Sequence, residues 1–450
     1  MCSSAFSGLA RAQAKALGAP DQPLLIIDHP FGSRSRKEVA ALAEVLVERI
    51  AETVRQAADP QIDPHADPHA DPHADPHADP HADPHADPEA AQLASVIAAA
   101  PVSVAAEGRL IELPVDIEAF HLACSERRWS DGLPVIPPTP ARVARMLSGS
   151  RRGPAEIVAT LATGFGEATV ERIAANAVMA GCLPSHLPVL IAAVEAAADP
   201  AFNLQAVQST TNPVTTWLIV NGPIVSTLGM NAGINCLGQG NLPNATLGRA
   251  LRLVMQNIGG AWPADMDRAT HGQPGKFLFC CAENELASPW APLHVDRGFA
   301  AGDSVVTVVG ASGTLNLNTH SKDADELIAC IARSMAYPAS NDYHYCGEPW
   351  MILSPEHAAV MAGQGYDKAA VRRMLWEQSM MQAGQFSRRD YERTRTARSV
   401  ELPGFDASTP VPLSRSPADV GIVVAGGPGT HSIYVPTFGE TRAVSRRIDA

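Results

Sequence analysis

From Asp63 to Ala86 the tetrapeptide Asp-Pro-His-Ala runs six times without a break, and Asp87-Pro88-Glu89-Ala90 closes the series. Proline at every fourth position removes an amide donor from each turn and biases the residue before it toward extended backbone, so no helix can run through the tract. The composition implies a spacer that samples polyproline II and turn conformations. Its histidines, His65, His69, His73, His77, His81 and His85, are of the type that binds zinc, nickel or copper. An ordered metal site needs ligands held still, which a spacer does not provide, and tandem-repeat expansion accounts for them. The tract cuts the chain into a small segment over residues 1–58, a disordered linker over 59–92, a short helix and connector over 93–107, and a main domain over 108–450.

A chain of 450 residues with 46% hydrophobic content can bury a sizeable core. The formal charge of -13 is concentrated: eight acidic residues fall between Asp63 and Glu89. No nucleic-acid or anionic-membrane partner is expected, although outside that segment the chain is only mildly acidic. No run of eighteen apolar residues is present, and Met1-Cys2-Ser3-Ser4 lacks the basic and apolar regions of a signal peptide. A cytoplasmic protein is expected, and eight cysteines without the dense spacing of a disulfide scaffold fit reduced thiols there.

Before the spacer, Leu24 to Ile27 reads as a strand, and Ser35 is placed to cap a helix in which Val39, Leu42, Leu46 and Ile50 recur at helical spacing. One strand and one helix cannot close a core, so this remnant must dock on the larger domain or on another chain. After residue 108 helical patterns at Thr169–Gly181, Ser185–Ala198, Thr246–Ile258, Ser321–Met335, Pro355–Ala362 and Asp367–Met380 alternate with strand-like runs. The runs are Trp217–Val220, Phe277–Ala282, Ser304–Val309, Trp350–Leu353 and Gly421–Ala425. The alternation implies an α/β fold, a layered sheet with flanking helices, and leaves parallel and mixed pairing open.

Between Asn221 and Arg297, turn glycines, amides, cysteines and histidines crowd between short apolar runs, as in loops that hold reactive groups at strand ends. Gly181 is placed to end one helix, and Cys182 follows it in the break before Pro184. Ser185 is expected to cap the next helix, whose positive end would acidify a thiol aimed at it. Cys236 lies in Asn231-Ala232-Gly233-Ile234-Asn235-Cys236, a loop suited to close ligand approach. Cys280 and Cys281 end a strand, so only one of them faces the site. Cys182, Cys236 and Cys280 are the thiol candidates, as nucleophile or redox thiol or as three ligands of an iron-sulfur cluster or of zinc. His271 is a candidate proton shuttle, and Glu283, followed by Asn284 and Glu285, a candidate acid or base. Asn221, Asn241 and Asn244 are candidate hydrogen-bond donors to a substrate. Gly427, Gly429 and His431, in Gly426-Gly427-Pro428-Gly429-Thr430-His431, are candidates to hold a phosphate or carboxylate on backbone amides. Their spacing fits neither phosphate-loop motif, and Ile433-Tyr434-Val435-Pro436 reads as extended rather than helical.

The run Cys2-Ser3-Ser4-Ala5-Phe6-Ser7-Gly8-Leu9, continuing to Gly18, together with Ile27-Asp28-His29-Pro30-Phe31-Gly32 and the helix after it, resembles the second half of the UGSC-motif (seleno)protein domain, over about residues 1–57. The loop that defines that family, U/C-Gly-Ser-Cys, is absent, and Cys182, Cys236 and Cys280 do not sit in one. The missing half is expected upstream of Met1 or on a separate chain. From Trp129-Ser130-Asp131-Gly132-Leu133-Pro134 to Gly429 the chain is similar to the larger domain associated with such proteins. The resemblance implies thiol or selenol chemistry on small molecules. Three functions follow as expectations: a thiol-dependent enzyme acting on a small polar molecule, a cluster- or metal-dependent lyase, or a non-catalytic partner of a UGSC-motif chain. A homo-oligomer is compatible with all three.

Overall fold

A computed structural model describes residues 2–28, 36–58 and 110–449. Two compact units divide the chain, one formed by Met1–Arg34 with Glu118–Ala450 and the other by Ser35–Ile117. The linker, the connector and the Ser35 cap lie outside the described residues. In the smaller unit a helix spans Arg36–Ala58, with Leu46 buried and Ile50 exposed. In the larger unit, strands β1 (Cys2–Ser3) and β2 (Ile26–Ile27) pair in parallel, and the helix Ser7–Ala16 lies between them in sequence. Gln205 Nε2 donates to Gln13 Oε1 over 3.1 Å, tying this helix to the rest of the unit.

The expected α/β architecture is present as helices packed on two mixed four-stranded sheets. A small antiparallel pair, β3 (Ile157–Leu161) and β4 (Gly166–Thr169), precedes them. In the first sheet the order is β14 (Val444–Arg447), β7 (Val305–Ala311), β5 (Thr215–Asn221), β6 (Cys280–Ala282); β5 and β6 are parallel and the other neighbours antiparallel. In the second it is β8 (Leu315–Asn318), β13 (His431–Val435), β9 (Trp350–Leu353), β12 (Gly421–Val424); here β9 and β12 are the parallel pair. A two-stranded pair, β10 (Met381–Gln382) and β11 (Pro410–Val411), is separate.

The two sheets repeat one design. Each begins with a strand of similar sequence, Trp217-Leu218-Ile219-Val220-Asn221 and Trp350-Met351-Ile352-Leu353-Ser354. Each continues through helices to a parallel neighbour, then to an antiparallel strand on the other side. The fourth strand of each repeat is exchanged: β8 follows β7 in the chain but pairs with β13, and β14 follows β13 but pairs with β7. Neither repeat can therefore complete its sheet without the other.

Alternation along the strands decides the layers. Trp217, Ile219, Cys281 and Val309 of the first sheet face Trp350, Ile352, Val423 and Val435 of the second across a buried seam. Trp217 stacks on Phe279 at 5.2 Å between ring centroids and meets Trp350 edge-on at 5.8 Å. The opposite face of the second sheet, with Met351, Leu353, Ile422 and Tyr434, packs on Leu327, Ile331, Ala358 and Leu375 of its helices. The helix Leu187–Ala198 covers β7 and β14, and the helix Leu242–Asn257 covers β6. The helices at Thr169–Gly181 and Thr246–Ile258 are found as Val170–Ala180 and Leu242–Asn257. Thr169 Oγ1 accepts from the Arg172 amide at the start of the former, and Gly181 ends it at φ 89°. Ser185 does not cap: a short 3-10 turn spans Pro184–His186 and the helix starts at Leu187.

Candidate functional site

The carboxyl ends of β5, β6 and β12 meet at one end of the seam, where parallel strands leave room for ligands. Asn221 is the last residue of β5 and is completely buried. Its Nδ2 donates to Glu283 Oε2 at 2.6 Å and to Glu285 Oε1 at 2.9 Å. Glu283 continues β6 through its amide, which donates to the Val220 carbonyl. Its Oε2 also accepts from the Leu293 amide at 2.7 Å, and Glu285 Oε1 accepts from the Gly222 amide at 2.7 Å. The fully buried His294 places Nδ1 at 3.7 Å from Glu285 Oε1. Burial pushes the Glu283 carboxyl above the usual range; Lys368, the Leu293 amide and Asn221 oppose the shift, and Glu285 adds to it. Asn221 Oδ1, Glu283 Oε1 and His294 Nδ1 are buried without a protein hydrogen-bond partner. Three such atoms near one another mark a buried polar cluster whose hydrogen-bond capacity the protein leaves partly unused.

The loops after these strands lock together beside the carboxylates. The Asn284 amide donates to the Val424 carbonyl at 2.7 Å, the Gly426 amide to the Ala232 carbonyl at 2.9 Å, and Asn284 Nδ2 to the Gly426 carbonyl at 3.3 Å. Gly427 allows the closeness: a Cβ there would lie 2.3 Å from Ile234 Cγ1. Cys236 is thereby brought against Cys281. Cys281 beside it, and then the backbone at Cys236, Leu237 and Gly426, favour the charged form of the Cys236 sulfur. These contacts outweigh burial and hold the Cys236 thiol below the ordinary thiol range. Cys281 is driven well up by that same contact and by its own burial.

The thiol candidates separate across β6. Cys280 points the other way from Cys281, to the helix layer, where it neighbours Cys182, and burial raises it. Cys182 donates to the Thr246 carbonyl at 3.4 Å and is pushed up to about 12 by burial. The acidifying helix end expected beside Cys182 is not there, because the turn at Pro184–His186 intervenes. Cys182, Cys236 and Cys280 therefore do not converge as three ligands of a cluster. Among the described residues no group of three His, Cys, Asp or Glu side chains is placed to hold a metal ion.

Asn241 caps the helix Leu242–Asn257, its Oδ1 accepting from the Asn244 amide at 3.1 Å, while its Nδ2 donates to the Gly229 carbonyl. Asn244 braces the thiol loop: Oδ1 accepts from the Asn231 amide at 3.1 Å, and Nδ2 donates to the carbonyls of Asn231 at 2.8 Å and Cys236 at 3.0 Å. Both amides are thus occupied by backbone, and that of Asn244 holds the loop of Cys236. His271 is exposed on the loop before β6, at the far end of the seam, where Thr270 and Gln273 bond Thr211 and Pro213 ahead of β5. His431 opens β13, exposed, with Nδ1 at 3.1 Å from Asn316 Nδ2. Gly429 adopts φ 152° in the loop before it.

Two features of the site are not among the sequence candidates. Cys281 is selected over Cys280 only by the facing of β6, which a three-residue strand does not announce. His294 sits in a four-residue helix after the carboxylates and carries no spacing signal. The doubled Trp-x-Ile motif at Trp217 and Trp350 is legible in the sequence and identifies the repeat.

Residues 1–56 match the model of the UGSC family, in agreement with the resemblance of that segment. No curated protein and no solved structure matches the chain.

Proposed function

We propose that the chain is an enzyme that acts on a small polar molecule through the thiolate of Cys236. The single observation that carries this reading is the placement of Cys236: the joined loops after β5 and β12 hold it beside Cys281, in surroundings that lower its thiol from the ordinary value. A thiol lowered in this way yields its nucleophilic thiolate more readily than an ordinary cysteine. Glu283, on the same face of β6 as Cys281 and favoured in its neutral form by burial, is the acid that protonates a departing group. The unpartnered atoms of Asn221, Glu283 and His294 give the substrate its polar contacts. Cys182 and Cys280, sealed and raised, are assigned to packing. A cytoplasmic setting, which keeps thiols reduced, goes with this reading, and the described cysteines are all free. The match of residues 1–56 supports a second reading, in which the chain serves a separate UGSC-motif chain as a partner.

Methyl methanethiosulfonate tests the first reading, because it is small enough to reach a nearly buried sulfur. The Cys236 thiolate attacks its thiol sulfur, the S–S bond breaks, and methanesulfinate leaves. Peptide mass spectrometry of the native protein should find the methylthio group on Cys236 at substoichiometric reagent. Modification confined to Cys2 and Cys330 would sink the reading, whereas co-purification of a UGSC-motif chain with an unreactive Cys236 would favour the second.

A further inference from the structure

The opposite end of the seam holds a cleft of about 360 Å³ that none of the candidate residues enters. It opens where the two repeats exchange strands. Asn212 and Pro213 precede β5, Ser312 follows β7, and Pro436 and Thr437 follow β13, with Ala311 and Thr437 forming an isolated bridge. The volume is that of a small-molecule site. The wall between the repeats is hydrogen-bonded through a buried carboxylate. Thr437 donates through its amide and its Oγ1 to the fully buried Asp342, at 3.2 and 2.7 Å, and Tyr434 Oη donates to the same carboxylate at 3.1 Å.

The lining is split by chemistry. Pro213, Ala339 and Pro436 form an apolar side that suits a short carbon skeleton. Facing it, Asn341 Nδ2 is buried without a protein partner. Arg393 pairs with Asp390 through one nitrogen, at 3.1 Å, and keeps further donors. Asn212 Oδ1 accepts from Ser312 Oγ at 3.0 Å, leaving its Nδ2. His344 Nδ1 meets Thr394 Oγ1 at 2.7 Å, leaving Nε2. The cleft thus offers a cation and amide donors beside one carboxylate, a pattern complementary to an anionic group next to a hydrogen-bond donor on the same small molecule.

We infer that this cleft binds a free α-amino or α-hydroxy acid, its carboxylate held by Arg393 and Asn341 and its amino or hydroxyl group by Asp390. The site is independent of the thiol chemistry proposed for Cys236 and stands or falls without it. The apolar wall leaves room for a side chain of a few carbons, and the two exchanged strands bring both repeats to one ligand.

Thermal unfolding of the full chain tests this with L-serine and L-malate as probes and ethanolamine, which lacks a carboxylate, as control. At least one probe should raise the midpoint with the logarithm of its concentration, by about 2–4 °C when well above its Kd, and ethanolamine should not. Arg393→Gln and Asn341→Ala, each of which should unfold near the wild-type midpoint in buffer, should abolish the response. No shift with either probe up to about 50 mM, an equal shift with ethanolamine, or an undiminished shift in both variants would overturn the assignment.

Discussion

Asn221 Nδ2 and Glu283 Oε2 meet at 2.6 Å across the carboxyl ends of two parallel strands, and both residues are almost wholly buried. Because Asn221 also reaches Glu285, it is the donor that lets two carboxylates stand side by side. Asn221→Leu removes both bonds while keeping volume, and leaves Glu283 with the Leu293 amide as its remaining direct protein donor. The expected loss is about 1–3 kcal/mol of unfolding free energy, the cost of stranding buried polar groups. Urea unfolding with an unchanged m-value checks it, and a loss larger at pH 8 than at pH 5 identifies the carboxylates as the stranded groups, since protonation relieves their charge.

Cys236 should be recognisable by its pH profile. Its thiol is held down by the Cys281 contact and three amides, so alkylation by iodoacetamide should reach half its plateau rate below the ordinary thiol value of about 8.5. A Cys2→Ser/Cys330→Ser background removes the more accessible thiols from the measurement. Cys281→Ala removes the neighbouring thiol that most favours the anion, and the midpoint should move upward. A midpoint at or above 8.5 in the parent, or one that Cys281→Ala leaves in place, would show that the sulfur is not held as an anion.

Much of this arrangement is readable along the chain, and what is not has physical reasons. The apolar runs at Trp217 and Trp350 announce buried strands, and Thr169 with Gly181 bracket a helix as capping chemistry predicts. Asn241 is read as a ligand group but caps a helix; Leu242-Pro243 after it is the signal, since proline suits the first turn. Cys280 and Cys281 are adjacent, and their roles differ only through the facing of β6, a three-residue strand whose direction is set by pairing with Leu218–Val220. The exchange of β8 and β14 rests on pairing between segments more than 100 residues apart, which no local pattern encodes. The polar cleft at Asn341 and Arg393 is assembled from five separate segments and has no motif.

Asp342 should shape the acid side of the stability curve. Burial lifts its carboxyl from 3.8 to about 6, against the opposing bonds from Thr437, Tyr434 and Ser340. Between those values the folded protein keeps a proton that the unfolded chain releases. This contribution is therefore full below pH 4 and is lost as pH rises through about 6, a change of roughly 3 kcal/mol. Asp267 and Glu401, whose carboxyls are lowered, act in the opposite sense at lower pH. The difference between wild type and Asp342→Asn isolates the effect: stability of the variant relative to wild type should climb from pH 4 to pH 7. A flat difference across that range would show that Asp342 titrates as it does in water.

Gly421 and Trp350 face each other in the parallel pairing of β12 and β9, and a Cβ on Gly421 would lie 2.1 Å from Trp350 Cδ2. The indole fills the place of the missing side chain, and it has little room to retreat because Trp217 meets it edge-on across the seam at 5.8 Å. Gly421→Ala should therefore destabilise by about 1–3 kcal/mol through overpacking, even though alanine is otherwise the better strand residue. Trp350→Phe opens space on the same spot and by itself should cost a comparable amount through lost packing. Combined, the two changes should lose less than the sum of the single losses by at least about 0.5 kcal/mol, the sign expected of residues that compete for one volume. Additive losses in chemical unfolding would mean that the strand shifts to admit the methyl, and that the indole does not hold the register of the two strands.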